Sequence, residues 1–259
     1  MDEQYFLRIE PPVPPVSAGR VFIRRLRKTL KIFLILMLGV VSWGHYIYFS
    51  GKELLKQRTQ DIDGDGIINS KDSDVDGDGI LNIKDPDADG DGIPNTEDAL
   101  RAARKLMGRP YDQLMGEKDN IGYRLGGLVC VDIIIIAYEH AGIYFEKELR
   151  DYYRKYPKVF SYKRWNNPYD GNFARRTRNF RSYFLARGMI LKKDEPLIPG
   201  DIVIFGTGHI AMIEKVKGDN YWVLESSGLK VVSQRASKAD IMKRSFERYG
   251  DVVYARMKY

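Results

Sequence analysis

The sequence predicts an α+β protein built from dissimilar segments, and three observations carry that expectation. An 18-residue run, 32–49, holds no formally charged side chain. A 13-residue period of aspartate and glycine fills 61–98. Beyond it a Gly-Gly turn opens one apolar helix, and short apolar strands separated by glycine turns follow. With 259 residues, 44% apolar and 30% charged, the chain can build a sizeable core and is neither disordered nor polytopic. The net charge of +7 is divided unevenly: +6 over 1–60, −11 over 61–98 and +12 over 99–259. A single cysteine excludes an internal disulfide framework and a Cys-rich zinc site.

The first segment reads as a membrane anchor. At 1.5 Å per residue the run 32–49 makes a helix of roughly 27 Å, close to the thickness of a hydrocarbon core. Trp43, Tyr46, Tyr48 and Phe49 gather at its outer end, where an aromatic belt would lie. Arg20, Arg24, Arg25, Arg27, Lys28 and Lys31 crowd the other end, which keeps 1–31 in the cytoplasm and sends the remainder outward. Ser42, Trp43 and Gly44 make a poor cleavage site, and a 31-residue polar leader is long for a cleaved signal peptide. The expectation is a single-pass signal anchor at 32–49 behind a basic leader, 1–31.

In the second segment each unit places carboxylates at positions 1, 3 and 5, glycine at 6, asparagine at 9 and aspartate at 12. The three sets are Asp61, Asp63, Asp65, Asn69, Asp72; Asp74, Asp76, Asp78, Asn82, Asp85; and Asp87, Asp89, Asp91, Asn95, Asp98. These are the ligand offsets of an EF-hand loop, with Asp for the terminal Glu, and hard oxygen donors in this number suit Ca²⁺. A 13-residue repeat leaves no room for the flanking EF helices. The segment resembles thrombospondin type 3 repeats, which implies structural Ca²⁺ held by short Asp-rich loops. Repulsion among 13 carboxylates would extend the metal-free segment, so a spacer stiffened by calcium is expected at 61–98. Thr96 is the expected N-cap of a connecting helix that fills 99–108 and stops at Gly108 and Pro110.

The third segment, 109–259, is expected to carry the chemistry. Gly126 and Gly127 turn into a helix that starts at Cys130, passes through Ile133 to Ile136 and ends at Gly142. A helix N-terminus favours a thiolate and offers N–H groups to an oxyanion. Strands are expected at 202–205, 209–213, 221–225 and 252–256, with His209 opening the second after Gly206 and Gly208. A cysteine on a helix followed by a histidine on an antiparallel sheet is a papain-like order, in which nucleophile and base meet in space. His140 reads as a helix-end residue and His45 as part of the anchor's interface. Arg175, Arg176 and Arg178 are either a solvated face or a set of guanidinium forks for carboxylates or phosphates.

Tyr123 with Gly126 and Gly127 before Cys130, Pro199-Gly200-Asp201 before the Gly208-His209 hairpin, and a polar residue on the next strand make up one set of motifs. It resembles the NlpC superfamily of papain-like cysteine peptidases and amidases. The closer resemblance is to a bacterial branch with an Arg-Arg-x-x-Asn motif, here Arg175, Arg176 and Asn179; that branch usually has His where this chain has Ala174. The resemblance implies Cys130 as nucleophile, His209 as base, and Glu225 as the residue that orients the histidine, with Ser226 or Ser227 as alternatives. It also implies Tyr123 on the oxyanion side, Arg175, Arg176 and Asn179 toward substrate, and Asp132 as a capping or loop-orienting group. The function expected is a membrane-anchored, extracytoplasmic hydrolase of amide bonds in the bacterial envelope. The expected partner is an anionic polymer of the envelope, peptidoglycan first, and no nucleic acid is expected. The alternatives are a non-catalytic wall-binding module and a lipid ester hydrolase or acyltransferase on the same scaffold.

Overall fold

The computed structural model describes residues 18–114, 126–160, 166–218, 220–228, 230–237 and 250–259. The chain divides into two units, 1–46 and 47–259. The first is a helix, α1, Ala18–Leu54, whose last residues belong to the second unit. Every described side chain from 22 to 46 is exposed, including Leu34, Leu36, Val40 and Trp43. Among the described residues no helix is long and apolar enough to cross a membrane.

The second unit contains the repeat, a helical layer and a sheet. Residues 61–94 form no regular element; they fold as three successive loops. The glycines at positions 4 and 6 of each loop have positive φ, between 67° and 93°, which only a residue without Cβ adopts readily. The spacer expected at 61–98 is packed on the rest of its unit: Ile83 and Ala88 of the repeat are buried in the same core as the helices.

The helices are α2, Asn95–Lys105; α3, Cys130–Glu139; α4, Phe145–Lys155; and α5, Thr177–Ala186. The expected Thr96 cap is corrected, since Pro94 precedes the first turn and the helix begins one residue before Thr96. α3 is apolar on all sides, and Val131 to Glu139 are all buried. It packs between α2 and strands β2 and β3. The aromatic rings of Phe145, Phe180, Tyr183 and Phe184 fill the space beneath α4 and α5 in edge-on pairs.

Five antiparallel strands form the sheet: β1, Ile202–Phe205; β2, His209–Lys217; β3, Asn220–Ser227; β4, Lys230–Ser237; and β5, Val252–Ala255. Their order is β4-β3-β2-β1-β5. Period-2 alternation sends Ile202, Ile204, Ile210, Met212 and Leu224 toward the helices, and Val203, Phe205, Ala211, Ile213 and Val223 into a smaller cluster on the far face. The β1–β2 hairpin pairs Phe205 with His209, which fixes the histidine at the end of the sheet.

Candidate active site and carboxylate loops

Backbone geometry places the thiol first. Val129 is extended and Cys130 begins α3, so Cys130 sits where the helix presents unpaired N–H groups. The Asp132 carboxylate accepts the Val129 N–H at 2.8 Å and closes the turn, the capping role expected of it. Ser226 Oγ donates to Leu128 O at 2.6 Å and ties the same turn to β3. Ser226 is therefore occupied away from the histidine.

His209 Nε2 lies 2.6 Å from Glu225 Oε2, across the β2–β3 pair. Glu225 is buried, and its Oε1 has no hydrogen-bond partner, so the carboxylate acts through the oxygen that meets the ring. With Nε2 so engaged, Nδ1 is the nitrogen that can serve the thiol. Burial alone would push the Cys130 thiol up. The hydrogen bond and charge of His209, the Ile210 backbone N–H and the Thr177 hydroxyl, whose Oγ1 is 3.9 Å from Sγ, outweigh burial and lower it. Burial would depress His209, but its bonds to Cys130 and Glu225 raise it to about 9. Both shifts run toward a thiolate beside an imidazolium. His140 caps the opposite end of α3, where burial and Lys105 lower its proton affinity; it takes no part in the site.

The thiol opens on a cleft of about 440 Å³, whose walls include Tyr111, Asn172, Arg176, Arg178 and the Thr207-Gly208 turn. Burial and the charge of Arg176 both lower the proton affinity of Arg178, so the two guanidinium groups crowd one wall with like charge. An anionic group bound there would relieve that repulsion.

Two expected substrate contacts are corrected. The Arg175 fork donates to both oxygens of Asp132, at 3.0 and 2.6 Å, and to Asp112 Oδ2 at 3.0 Å, all buried. Arg175 thus borders the cleft while holding carboxylates of its own chain. Asn179 is buried and exchanges hydrogen bonds with Asn166 and with Phe173 O, facing inward. Arg176 keeps its place at the cleft and also bonds Asn166 Oδ1 at 3.2 Å. Ala174 is buried in the core. Tyr123 lies outside the described residues. Thr177 and Asp112 were not singled out from sequence; Thr177 follows the Arg-Arg pair directly, whereas Asp112 carries no local signal.

The repeat gathers three trios of carboxylates: Asp61, Asp63 and Asp65; Asp74, Asp76 and Asp78; and Asp87, Asp89 and Asp91. Within each, one oxygen per residue lies within 4.8 Å of the others. Several of the oxygens are buried without a hydrogen-bond partner: Asp74 Oδ1, Asp87 Oδ1, Asp89 Oδ1 and, from position 12, Asp72 Oδ2 and Asp85 Oδ2. Burial first, then the charges of Asp91 and Asp98, raise Asp89 to about 7. Such a donor set fits a hard cation with several oxygen ligands. The asparagines, expected as ligands, are corrected. Asn69, Asn82 and Asn95 each spend Oδ1 on the N–H at position 2 of their own loop, at 3.1, 2.8 and 2.8 Å. Asn82 and Asn95 also donate to the carbonyls of Asp72 and Asp85 in the loop before, at 3.3 and 2.6 Å. They staple loops together.

Residues 121–249 match the family described as Domain of unknown function (DUF1287). That DUF1287 segment contains Cys130, His209 and Glu225, and lies after the repeat. No curated protein matches the chain. Two solved structures are similar to it. The P60 domain of an antigen from M. avium subspecies paratuberculosis is 15% identical, over 64% of this chain and 96% of that one, with a TM-score of 0.35. A mutated Resuscitation Promoting Factor Interacting protein, RipA, is 13% identical, over 64% of this chain and 63% of that one, with a TM-score of 0.33.

Proposed function

We propose that this protein is a membrane-tethered cysteine hydrolase that cleaves amide bonds of peptides in the bacterial envelope, peptidoglycan stems being the substrate class, and that its Asp-rich repeat binds Ca²⁺. The observation that carries the reading is the Cys130–His209–Glu225 relay at the mouth of a cationic cleft. The thiolate attacks the carbonyl carbon, and the oxyanion that forms faces the N–H groups at the start of α3. The His209 imidazolium gives its proton to the departing amine, leaving a thioester on Cys130. Water then attacks the thioester while His209 takes its proton, which releases the acid and restores the thiol. Glu225 holds the ring and stabilises its charged form throughout. Arg176 and Arg178 suit the free carboxylates of envelope peptides.

The anchor reading rests on the sequence run 32–49 and on the basic residues before it. Protease added to intact spheroplasts is expected to remove 61–259 and spare the leader. Catalysis is tested by incubating the full chain, in detergent, with purified peptidoglycan and identifying released fragments by mass spectrometry. New peptide ends that are absent with Cys130→Ala support the reading. Binding without release, identical in Cys130→Ala, would replace it with a wall-binding module.

A further inference from the structure

The repeat and the nucleophile helix meet backbone to backbone. Gly142, in the turn that ends α3, has φ +73°, and a Cβ there would lie 2.6 Å from the Ala88 carbonyl oxygen. Ala88 is fully buried between Asp87 and Asp89, two carboxylates of the third loop, and shares a core with Ile133 to Ile136. Polar bonds surround this contact. Arg58 pairs with Glu139 in the last turn of α3, the Tyr144 hydroxyl donates to Gln57 O at 3.1 Å, and Lys147 donates to Ser73 Oγ at 2.7 Å. α2 starts at Asn95 within the third loop and packs along α3.

Hydrogen bonding leaves several buried carboxylate oxygens of the loops without a partner. Asp85 is 3% exposed, and its Oδ2 has no partner. Its Oδ1 accepts the Asp87 N–H at 2.8 Å. One residue thus links the second loop to the start of the third. A cation among these carboxylates would offset their like charge and favour the packing of Ala88 on the end of α3.

We infer that cation binding by the second and third loops braces the nucleophile helix, so that Ca²⁺ is a condition for placing Cys130 against His209. The repeat is then a structural part of the hydrolase. This rests on the calcium and hydrolase readings above. α3 and β2 are separate elements; a helix that loses its C-terminal support shifts Cys130 relative to a histidine fixed by the sheet. Relays of this kind tolerate displacements of only about 1 Å.

The test uses the full chain in detergent with CaCl₂, with MgCl₂ as control ion, or with EGTA. Calorimetry reads calcium binding, near-UV circular dichroism reads thermal unfolding, and iodoacetamide at about pH 6 reads Cys130. Calcium should raise the unfolding midpoint by on the order of 10 °C. It should also speed alkylation at least about tenfold relative to EGTA. Gly142→Ala should keep the binding heat and lose the effect on alkylation. Gly188→Ala, with φ +66° and open space around it, controls for backbone strain and should keep both. If Gly142→Ala does not fold, the wild-type comparison decides alone. Binding heat with unchanged melting and alkylation overturns the inference and leaves calcium binding standing. No heat at millimolar calcium overturns both. A calcium-dependent midpoint with a thiol that reacts only above about pH 8 supports the brace and overturns the hydrolase.

Discussion

Cys130 and Glu225 together set how alkaline the solution can be before His209 loses its charge. The ring's folded value, about 9, lies above its ordinary 6.5, so the stabilisation it supplies is complete below 6.5 and lost as pH rises through about 9. The proposed mechanism needs thiolate and imidazolium together, so its alkaline limb should fall near pH 9. Glu225→Gln keeps an oxygen for the ring but removes the charge, and the limb should move to about pH 8 or below. A pH profile of kcat/KM that is unchanged in the variant would deny the carboxylate this role. The arginines divide differently. Arg175→Met strands two buried carboxylates and should cost about 3–5 kcal/mol in urea unfolding. Arg176→Ala should raise KM with stability within about 0.5 kcal/mol. Equal stability loss in the two variants would contradict the division. Cys130 and His209 were legible because each stands beside glycine turns that announce a helix or strand start. The partners of Arg175 were not, because a fork aimed at Asp112, 63 residues away, has the same local sequence as one aimed at substrate.

The loops of the repeat were legible as a period, since glycine at fixed offsets reports backbone conformation directly. The task of the asparagines was not, because the same amide at position 9 can ligate a cation or accept an N–H. Asn82→Asp separates the two. A carboxylate would strengthen a ligand, but it cannot donate to the Asp72 carbonyl as the amide does. We expect weaker calcium binding and a stability loss of about 1–3 kcal/mol. Tighter binding in calorimetry would restore the asparagine as a ligand. Among the strands, β1, β2, β3 and β5 follow from apolar runs bounded by turn residues. β4 escaped, since Lys230 to Ser237 mixes Lys, Ser, Gln and Arg with few apolar residues and earns its place by pairing with β3 along its whole length. Helices α4 and α5 escaped because their surfaces are dominated by charged and aromatic residues.

At the scale of the molecule, composition separated an acidic segment from a basic one, and charge alone suggested segments that stand apart. Contacts between Ala88 and Gly142, or Ser73 and Lys147, join them, and no local pattern encodes such pairings. The same distance in sequence governs when the site comes into being. Cys130 lies on a helix that local contacts can build in microseconds, whereas His209 and Glu225 await the pairing of β1, β2 and β3. Until the sheet closes, the cysteine is an ordinary thiol on a nascent helix. Its alkylation is therefore a clock for folding: during refolding, pulses of iodoacetamide at about pH 6 should mark the chain only after sheet circular dichroism has developed. Labelling that precedes the sheet would show that the thiol is activated by its helix alone. A chain still in an unfolded state, wherever it is held, carries a cysteine without the partners that the proposed reaction needs.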